Sequence, residues 1–314
     1  MTRLLSICIP TYNGGEYFKY NVNKLIDMSL KYNFDICISD NASTDETQEY
    51  MLNLITKYDF IKYHRNKNNQ GWAYNFDYVL KMADTEYAWL LGDDDEILEN
   101  GLIKVIEILT KYKPDICVVN GINLDNEKII KGISSKIYTD KNMVLSDLGQ
   151  HMSWMSTLIF SNKMINKMDF KSITDNAFPH LIEIFRYFNK CCNLYWSSIP
   201  SSKVQENSSC RYNNNHMNYF IKDWYNITIE IGDYKNNSKQ VFIRSLCENV
   251  YSFRNIIYLR CINILNKHNL LEVKKELKYY PLKIKIYLYI ISKIPINLLV
   301  SIKKVIRIIN RRNK

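Results

Sequence analysis

Glycine and proline are scarce in this chain of 314 residues, which has nine glycines and six prolines, and 46% of its residues are hydrophobic. This composition favours a packed core and argues against disorder. The eight cysteines include no Cys-x-x-Cys pair, and three of them, Cys8, Cys37 and Cys117, lie in apolar runs. Thiols in such runs behave as small hydrophobic groups, so we expect a reducing compartment and no structural zinc.

Long apolar runs are also missing. Met1-Thr2-Arg3 leads directly into a short apolar segment without the pattern of a signal peptide. The apolar stretch from Ile286 to Val300 is interrupted by Lys293 and Pro295, so it is too short to cross a bilayer. We found no internal repeat. The sequence therefore predicts a cytoplasmic protein.

In the first hundred residues, three short apolar segments and one that alternates more loosely, Phe60–Arg65, are interspersed with stretches of helical spacing. Alternation of this kind is typical of βαβ units, in which helices cover both faces of a mostly parallel sheet. We therefore predict an α/β fold. The segments predicted to form strands are Leu4–Pro10, Asp35–Asp40, Phe60–Arg65 and Glu86–Leu91.

Polar clusters follow three of these predicted strands, where parallel sheets bind their ligands. They are Thr11-Tyr12-Asn13, Asp40-Asn41 and Asp93-Asp94-Asp95. Three adjacent carboxylates repel one another, and a divalent cation relieves that repulsion. Because Mg²⁺ and Mn²⁺ prefer oxygen ligands, the third cluster predicts a cation site rather than a solvated turn.

The second cluster has two parts. Ser43 or Thr44 is predicted to cap the following helix, with Asp45 and Glu46 in its first turn. Asp40 has no role in starting that helix, so we interpret it as a carboxylate that faces a ligand.

Four motifs occur in order over residues 4–120 and together resemble glycosyltransferase family 2. This resemblance implies an inverting enzyme with the GT-A fold, which has a Rossmann-like, mostly parallel sheet flanked by helices. The glycine before three aspartates is most similar to the abequosyltransferase-like branch, which builds bacterial surface polysaccharides. The motifs are Pro10-Thr11-Tyr12-Asn13, the segment SDNASTDET from Ser39, Asn69 to Asn75 (NQGWAYN), and LLGDDDE from Leu90.

The resemblance also implies roles for individual residues. Residues 10–13 would flank the nucleotide base, and Asp40 would accept a hydrogen bond from it, typically from uracil. Asp93 would face the ribose or a metal-bound water, and Asp95 would hold Mn²⁺ or Mg²⁺ against the diphosphate. Because the alignment is ambiguous by one position, Asp94 and Asp95 are the alternative pair. Residues expected beside the nucleotide-sugar are Asn69, Gly71 and Asn75.

An inverting transfer needs a general base that deprotonates the acceptor hydroxyl. Family 2 commonly supplies it from a Glu-Asp pair roughly 80–100 residues past the aspartate motif, a pair that this sequence lacks. His180, in the Pro-His dipeptide found there, is the first candidate, followed by Asp175 and Glu183. A structural histidine at a helix start is the alternative interpretation.

Two further segments carry predictions. Ser153 to Phe160 is predicted to form a loop and then a strand, and Trp154 is predicted either to stack on an acceptor sugar or to lie in the core. The polar segment from Pro200 to Tyr212 is predicted to be a loop.

The net charge of +10 is concentrated at the C-terminus. Residues 274–314 hold twelve basic residues and one acidic residue, or +11, which leaves −1 for the rest. We therefore divide the chain into a catalytic domain, residues 1–218, and a helical C-terminal region, residues 219–314. Its basic amphipathic tail predicts peripheral association with an anionic membrane, at the inner face of the plasma membrane. The apolar face of the tail comprises Leu298, Ile302, Val305, Ile306 and Ile309.

The sequence thus predicts a metal-dependent glycosyltransferase with a nucleotide-sugar donor, a glycan or lipid-linked acceptor and no nucleic-acid partner. A polyanion-binding protein would use the basic tail but leaves the strand-end aspartates unexplained. A nucleotidyltransferase acting on sugar phosphates would share those aspartates. It usually carries a glycine-rich loop with Arg or Lys after the first strand, and here that loop is Thr-Tyr-Asn-Gly-Gly.

Overall fold

The computed structural model describes residues 3–204 and 215–299. The chain divides into two compact units. The first unit comprises Met1–Thr174 and Pro179–Ser208, and the second comprises Asp175–Phe178 and Ser209–Lys314. The boundary at residue 218 stays a prediction, and the predicted tail beyond residue 299 lies outside the described residues.

The first unit is built around one sheet of nine strands. Its order is β3-β2-β1-β4-β8-β6-β9-β5, and β7 pairs with β9. Of these nine, β1, β2, β3, β4, β6 and β9 run in one direction, which follows from four parallel and four antiparallel pairings. The strands are β1 (Leu5–Thr11), β2 (Asp35–Asp40), β3 (Ile61–Arg65), β4 (Tyr87–Leu90), β5 (Asp95–Ile97), β6 (Ile116–Ile122), β7 (Lys136–Tyr138), β8 (Leu158–Ser161) and β9 (Leu194–Val204).

The described part of this unit has seven α-helices. They are α1 (Gly15–Tyr32), α2 (Thr47–Ile55), α3 (Trp72–Lys81), α4 (Glu99–Tyr112), α5 (Lys141–Leu148), α6 (Asn162–Ile165) and α7 (Pro179–Phe188). All residues of β1 and β2 are buried, because helices cover both faces of the sheet. Ile7, Ile36 and Trp89 lie in this core with no exposed surface.

The four predicted strands and the alternation with helices are confirmed. The predicted loop from Pro200 is wrong for residues 200–204, because β9 continues to Val204 and pairs with β5 and β6. Register shifts next to Asn120 accommodate Pro200 in the pairing of β6 with β9. Residues 205–212 of that predicted loop lie outside the described ranges.

Residues 215–299 of the second unit are mostly helical. Asn218–Asp223 forms one π-helical segment and is followed by α8 (Trp224–Glu230), α9 (Asn236–Asn249), α10 (Phe253–Cys261), α11 (Lys267–Glu272), α12 (Lys274–Leu277) and α13 (Leu282–Lys293). Trp224 stacks on Phe242 with ring centroids 4.3 Å apart, and both are fully buried. Across residues 3–204 and 215–299, no helix is both long and apolar enough to cross a membrane.

Candidate active site

The polar clusters predicted from the sequence meet at one edge of the sheet. Thr11, the last residue of β1, lies opposite Asp40, the last residue of β2. The Thr11 hydroxyl donates a 2.7 Å hydrogen bond to Oδ2 of Asp93, which follows β4. Asn13 connects the first two clusters, since its backbone N–H donates to Ser43 Oγ and its Oδ1 accepts from the Thr44 N–H. The ends of three parallel strands therefore form one connected polar surface.

The surroundings of Asp93 disfavour the ionised form of its carboxyl group. Its pKa is raised from 3.8 to about 6, mainly by loss of solvent and also by the neighbouring charge of Asp94, although the hydrogen bond from Thr11 acts in the opposite direction. Asp93 and Asp94 are both partly exposed, at the rim of the strand edge. A cation at this position would stabilise both ionised carboxylates.

Asp95 is held by the segment that precedes β8. Its Oδ2 accepts hydrogen bonds from Trp154 Nε1 at 2.6 Å and from Ser156 Oγ at 2.5 Å. Ser156 Oγ also accepts from the backbone N–H of Gly92, at 2.9 Å. An added Cβ at Gly92 would lie 2.9 Å from Asp95 Oδ2, so any larger residue at this position would displace that carboxylate. These contacts fix the orientation of the third aspartate.

The side chain of Asn21, in α1, holds the aspartate loop in place by two hydrogen bonds. Its Nδ2 donates to the carbonyl oxygens of Asp93 and Asp95, each at 2.9 Å. Neither Asn21 nor Ser156 was predicted as a site residue from the sequence. One feature of the sequence could have identified Asn21: its amide side chain lies among the apolar residues Phe18, Val22 and Leu25 on the buried face of α1. Such a polar side chain in the interior is normally hydrogen-bonded to something specific.

One or two of the three aspartates, rather than all three together, could contribute to a cation site that substrate oxygens complete. Among the described residues, no group of three or more His, Cys, Asp or Glu side chains could hold a metal ion alone. Mg²⁺ is usually bound by one or two carboxylates together with substrate phosphates and water. The raised pKa of Asp93 and the partial exposure of Asp93 and Asp94 agree with that mode.

Asp40 is fully buried, and both of its oxygens are engaged. Oδ1 accepts from the Ser43 N–H at 2.7 Å, and Oδ2 accepts from the Tyr63 hydroxyl at 2.8 Å. Arg65 Nε lies 3.6 Å from Oδ2. In this structure Asp40 therefore shapes the loop between β2 and α2. Its contact with a base stays a prediction.

The predicted N-cap of α2 is wrong. The helix begins at Thr47, and its N-cap residue Glu46 makes no side-chain capping bond. The hydroxyl of Ser43 accepts from the Asn13 N–H instead. Ser43 thus joins two strand-end loops, which sequence spacing does not reveal.

Asn69 and Gly71 are joined to the second cluster through Asn41. Asn41 Nδ2 donates to Asn69 Oδ1 at 2.9 Å and to the Gly71 carbonyl at 3.2 Å. Gly71, with φ of +83°, precedes α3 in a backbone conformation that glycine adopts without strain. Asn75, one turn into α3, is buried and bonded to Ser39 at both its carbonyl and its hydroxyl. The motif thus holds the ends of β1 and β2 together.

The residues of the first loop differ in exposure. Pro10 is buried within β1, opposite Ser39, whereas Tyr12 is 47% exposed and Asn13 is exposed. Tyr12 and Asn13 are therefore the members of this loop that a ligand can reach directly.

Trp154 is half-buried, so it is neither a fully buried core residue nor a fully exposed stacking surface for an acceptor sugar. Its ring occupies the space above Gly121, where an added Cβ would lie 2.0 Å from Cζ3. Its hydrogen bond to Asp95 brings it to the aspartate loop. Its contact with an acceptor stays a prediction.

The three base candidates have different surroundings. His180 is buried near Phe76, and burial lowers its pKa to about 4, while the nearby backbone of Ser153 and Met152 opposes this shift. Glu183 is buried too, and its Oε2 accepts from the Asp169 N–H at 3.0 Å. Asp175, in the second unit, is exposed. The assignment of the base stays a prediction.

Comparison with known proteins gives a consistent result. The sequence profile of Glycosyl transferase family 2 matches residues 6–174, which is more than half of the chain. Abequosyltransferase RfbV of Salmonella typhimurium is 31% identical over 63% of this chain and 65% of its own length. GalNAc(5)-diNAcBac-PP-undecaprenol beta-1,3-glucosyltransferase of Campylobacter jejuni is 27% identical over 52% of this chain and 55% of its own length. The chain thus matches less than two thirds of either relative.

Solved structures share the fold. Residues 1–349 of S. aureus TarS, in complex with UDP, superpose with a TM-score of 0.60 and 17% identity, over 80% of this chain and 73% of that one. The mannosyltransferase PcManGT from Pyrobaculum calidifontis, in complex with GDP-Man and Mn²⁺, gives a TM-score of 0.54 and 11% identity, over 93% and 87%. These neighbours confirm the predicted GT-A fold. From the profile match and the shared fold, we conclude that the chain belongs to glycosyltransferase family 2.

Proposed function

We propose that this protein is a metal-dependent, inverting glycosyltransferase. Its donor is a nucleotide-sugar, with a UDP-sugar as the first candidate, and its acceptor is a glycan or a lipid-linked sugar of a bacterial surface polysaccharide. One observation carries the proposal. Hydrogen bonds join the ends of β1, β2 and β4, from Asn13 with Thr44 to Thr11 with Asp93, into one polar surface. Family membership and the printed names of the relatives support sugar transfer over the two alternatives.

The parts of this surface suit the parts of a nucleotide-sugar. The exposed ring of Tyr12 offers a stacking surface to the base, and Asn69 and Gly71 are exposed on the same loop system. Asp93, Asp94 and Asp95 are the residues that would hold Mn²⁺ or Mg²⁺. A bound divalent ion supplies Lewis-acid stabilisation of the negative charge that develops on the leaving diphosphate.

We further propose that the protein works at the inner face of the plasma membrane. Along α13, Leu282, Ile286, Tyr289 and Ile290 recur on one face and are 45–68% exposed. Lys283, Lys285 and Lys293 lie on the same helix, whose sequence contains no acidic residue. An exposed apolar face combined with lysines favours an anionic bilayer surface. That location would suit a lipid-linked acceptor.

Thermal unfolding with UDP, CDP, GDP and TDP, each with and without Mn²⁺, tests donor binding. We expect one nucleotide to raise the Tm in the presence of Mn²⁺ by more than the two separate effects combined. Asp95→Asn should lose the metal-dependent part, whereas Asp125→Asn, on an exposed loop, should keep it. If no nucleotide stabilises the protein in a metal-dependent way, the proposed function is wrong.

Turnover of the selected donor identifies the base. We compare Asp175→Asn, His180→Gln and Glu183→Gln, and we expect one of them to lose roughly 100-fold or more in kcat. That variant should keep its nucleotide-induced rise in Tm, because the base contacts the acceptor. Loss of both properties would indicate a structural role, which the contact with Asp169 predicts for Glu183.

A further inference from the structure

A cleft in the second unit has the features of an anion site. It has a volume of about 860 Å³ and lies between residues of α9, α10 and α13. Arg244 and Lys283 line it, together with Gln240, and no acidic side chain is among its described lining residues. The described side chains of the cleft therefore supply positive charge and hydrogen-bond donors.

Tyr251 provides an independent observation. It lines the same cleft and is fully buried, yet its hydroxyl has no hydrogen-bond partner within the described part of the chain. A buried hydroxyl without a partner costs free energy, and such a group in a folded protein calls for a specific explanation. A ligand oxygen in the cleft would provide the missing acceptor.

The rim of the cleft is apolar. Phe253 is 56% exposed and contacts the Tyr287 ring edge to face, with centroids 5.2 Å apart. Leu282 is 68% exposed and begins α13, whose apolar face continues with Ile286. A free inorganic ion makes no use of such a rim, whereas the acyl chains of an amphiphile would cover it.

We propose that this cleft binds the phosphate group of an anionic lipid. Arg244 and Lys283 pair with the phosphate oxygens, the Tyr251 hydroxyl donates to one of them, and Phe253 and Leu282 contact the first carbons of the chains. Arginine and lysine are the usual partners of phosphate, and hydrogen bonds to charged groups are stronger than neutral ones. The inference extends the proposed membrane association and does not depend on the transfer reaction.

The test uses the full chain and dihexanoyl phosphatidic acid, a short-chain soluble lipid, in isothermal titration calorimetry. We expect one site, at least about tenfold weaker binding in Arg244→Gln, and no change in Arg254→Gln. Arg254 is an exposed arginine of α10 that does not line the cleft, so it is a matched control. Equal effects of the two substitutions would overturn the proposal.

Inorganic phosphate and dihexanoyl phosphatidylcholine distinguish the sources of the phosphate. We expect both to bind at least about tenfold more weakly than the phosphatidic acid. Inorganic phosphate that binds as tightly as the lipid would overturn the lipid assignment. Binding should persist in a chain that ends at residue 299, and its loss there would assign the lipid to the tail instead.

Tyr251→Phe separates binding from structure. Because it removes a hydroxyl that has no described partner, the ligand-free variant should unfold at the same or a higher temperature than the wild type. Its affinity for the phosphatidic acid should nevertheless fall severalfold. A lower Tm with unchanged affinity would contradict the proposal. Arg244→Gln should keep the nucleotide-dependent rise in Tm, so that failure of this site is distinguishable from failure of the proposed transfer.

Discussion

The residues that orient the aspartate loop are far from it in the sequence but contact it in the folded protein. Trp154 and Ser156 are 59 and 61 residues away from Asp95, yet both donate to its Oδ2. Thr11 reaches Asp93 across 82 residues. A carboxylate oriented by such contacts loses little entropy when a ligand binds, which is the advantage of a preorganised site.

Adding a single methyl group at Gly121 should have a measurable effect on the stability of the protein. In Gly121→Ala the new Cβ would lie 2.0 Å from Trp154 Cζ3, so the indole ring must move. We expect a loss of about 1–3 kcal/mol in the free energy of unfolding, measured with urea. In a Trp154→Ala background the same substitution should cost little, because the obstructing ring is absent. Additive effects of the two changes would contradict this account.

Asp223 should make stability depend on pH. Burial raises its pKa from 3.8 to about 6, and the hydrogen bond from the Ala177 N–H opposes this effect. The folded state then binds a proton more tightly than the unfolded state, so stability falls as pH rises from about 4 to about 6 and stays lower above that. Asp223→Asn keeps an oxygen acceptor but removes the charge.

The difference between the wild type and Asp223→Asn isolates this effect. We expect no difference at pH 4 and a variant that is more stable by about 2 kcal/mol at pH 7, measured by chemical denaturation. Asp233→Asn, at an exposed position of the same unit, should show a difference that does not vary with pH. A pH-independent difference for Asp223→Asn would show that its charge is not destabilised by burial.

At the scale of elements, Asn75 connects α3 with β1 and β2, and its amide donates to the Thr11 carbonyl at 3.4 Å. Its amide donates to the Ser39 carbonyl at 2.9 Å and its Oδ1 accepts from the Ser39 hydroxyl at 2.6 Å. Asn75→Ala leaves both groups buried without this partner, and we expect a loss of about 1–3 kcal/mol in the free energy of unfolding. Asn53→Ala, on the exposed face of α2, should change it by less than about 0.5 kcal/mol. Equal losses would show that the strand-end bonds add no stability.

Elements that are apolar on both faces were predictable, and those defined by their partners were not. The segments predicted for β1, β2 and β4 agree with the structure to within a residue or two, because a strand covered on both sides must be apolar. The segment predicted for β3 agrees as closely, although four of its five residues are only partly buried. In contrast, β5 has three residues, and β9 contains Pro-Ser-Ser-Lys. Their strand conformation depends on pairing with each other and with β6, which the local sequence does not encode.

For the candidate site, the positions of the polar clusters could be predicted from the sequence, but the contacts between them could not. Strand-end clusters follow from parallel strands, so Thr11, Asp40 and Asp93 were identified from their positions in the sequence. Which of their atoms meet depends on the register between strands and on loops such as residues 151–157. Asp40 illustrates the limit, because its partners Tyr63 and Ser43 become neighbours only in the folded sheet.

At the scale of the whole molecule, charge and chemistry occupy different parts of the sequence. The acidic strand-end residues lie before residue 100, whereas residues 274–314 carry +11. A nearly neutral N-terminal part and a basic C-terminal part agree with the proposed binding of a small anionic donor and with the proposed association with an anionic surface.

Removal of residues 300–314 tests the membrane part of this arrangement. The segment contains six basic and no acidic residues, so its deletion lowers the net charge from +10 to +4. Each basic residue near an anionic bilayer contributes about 1 kcal/mol, so the truncated chain should sediment far less with anionic vesicles. Zwitterionic vesicles should bind both forms weakly. Because every described residue remains, the nucleotide-dependent rise in Tm should be unchanged, and full retention of vesicle binding would assign membrane association to α13 rather than to the tail.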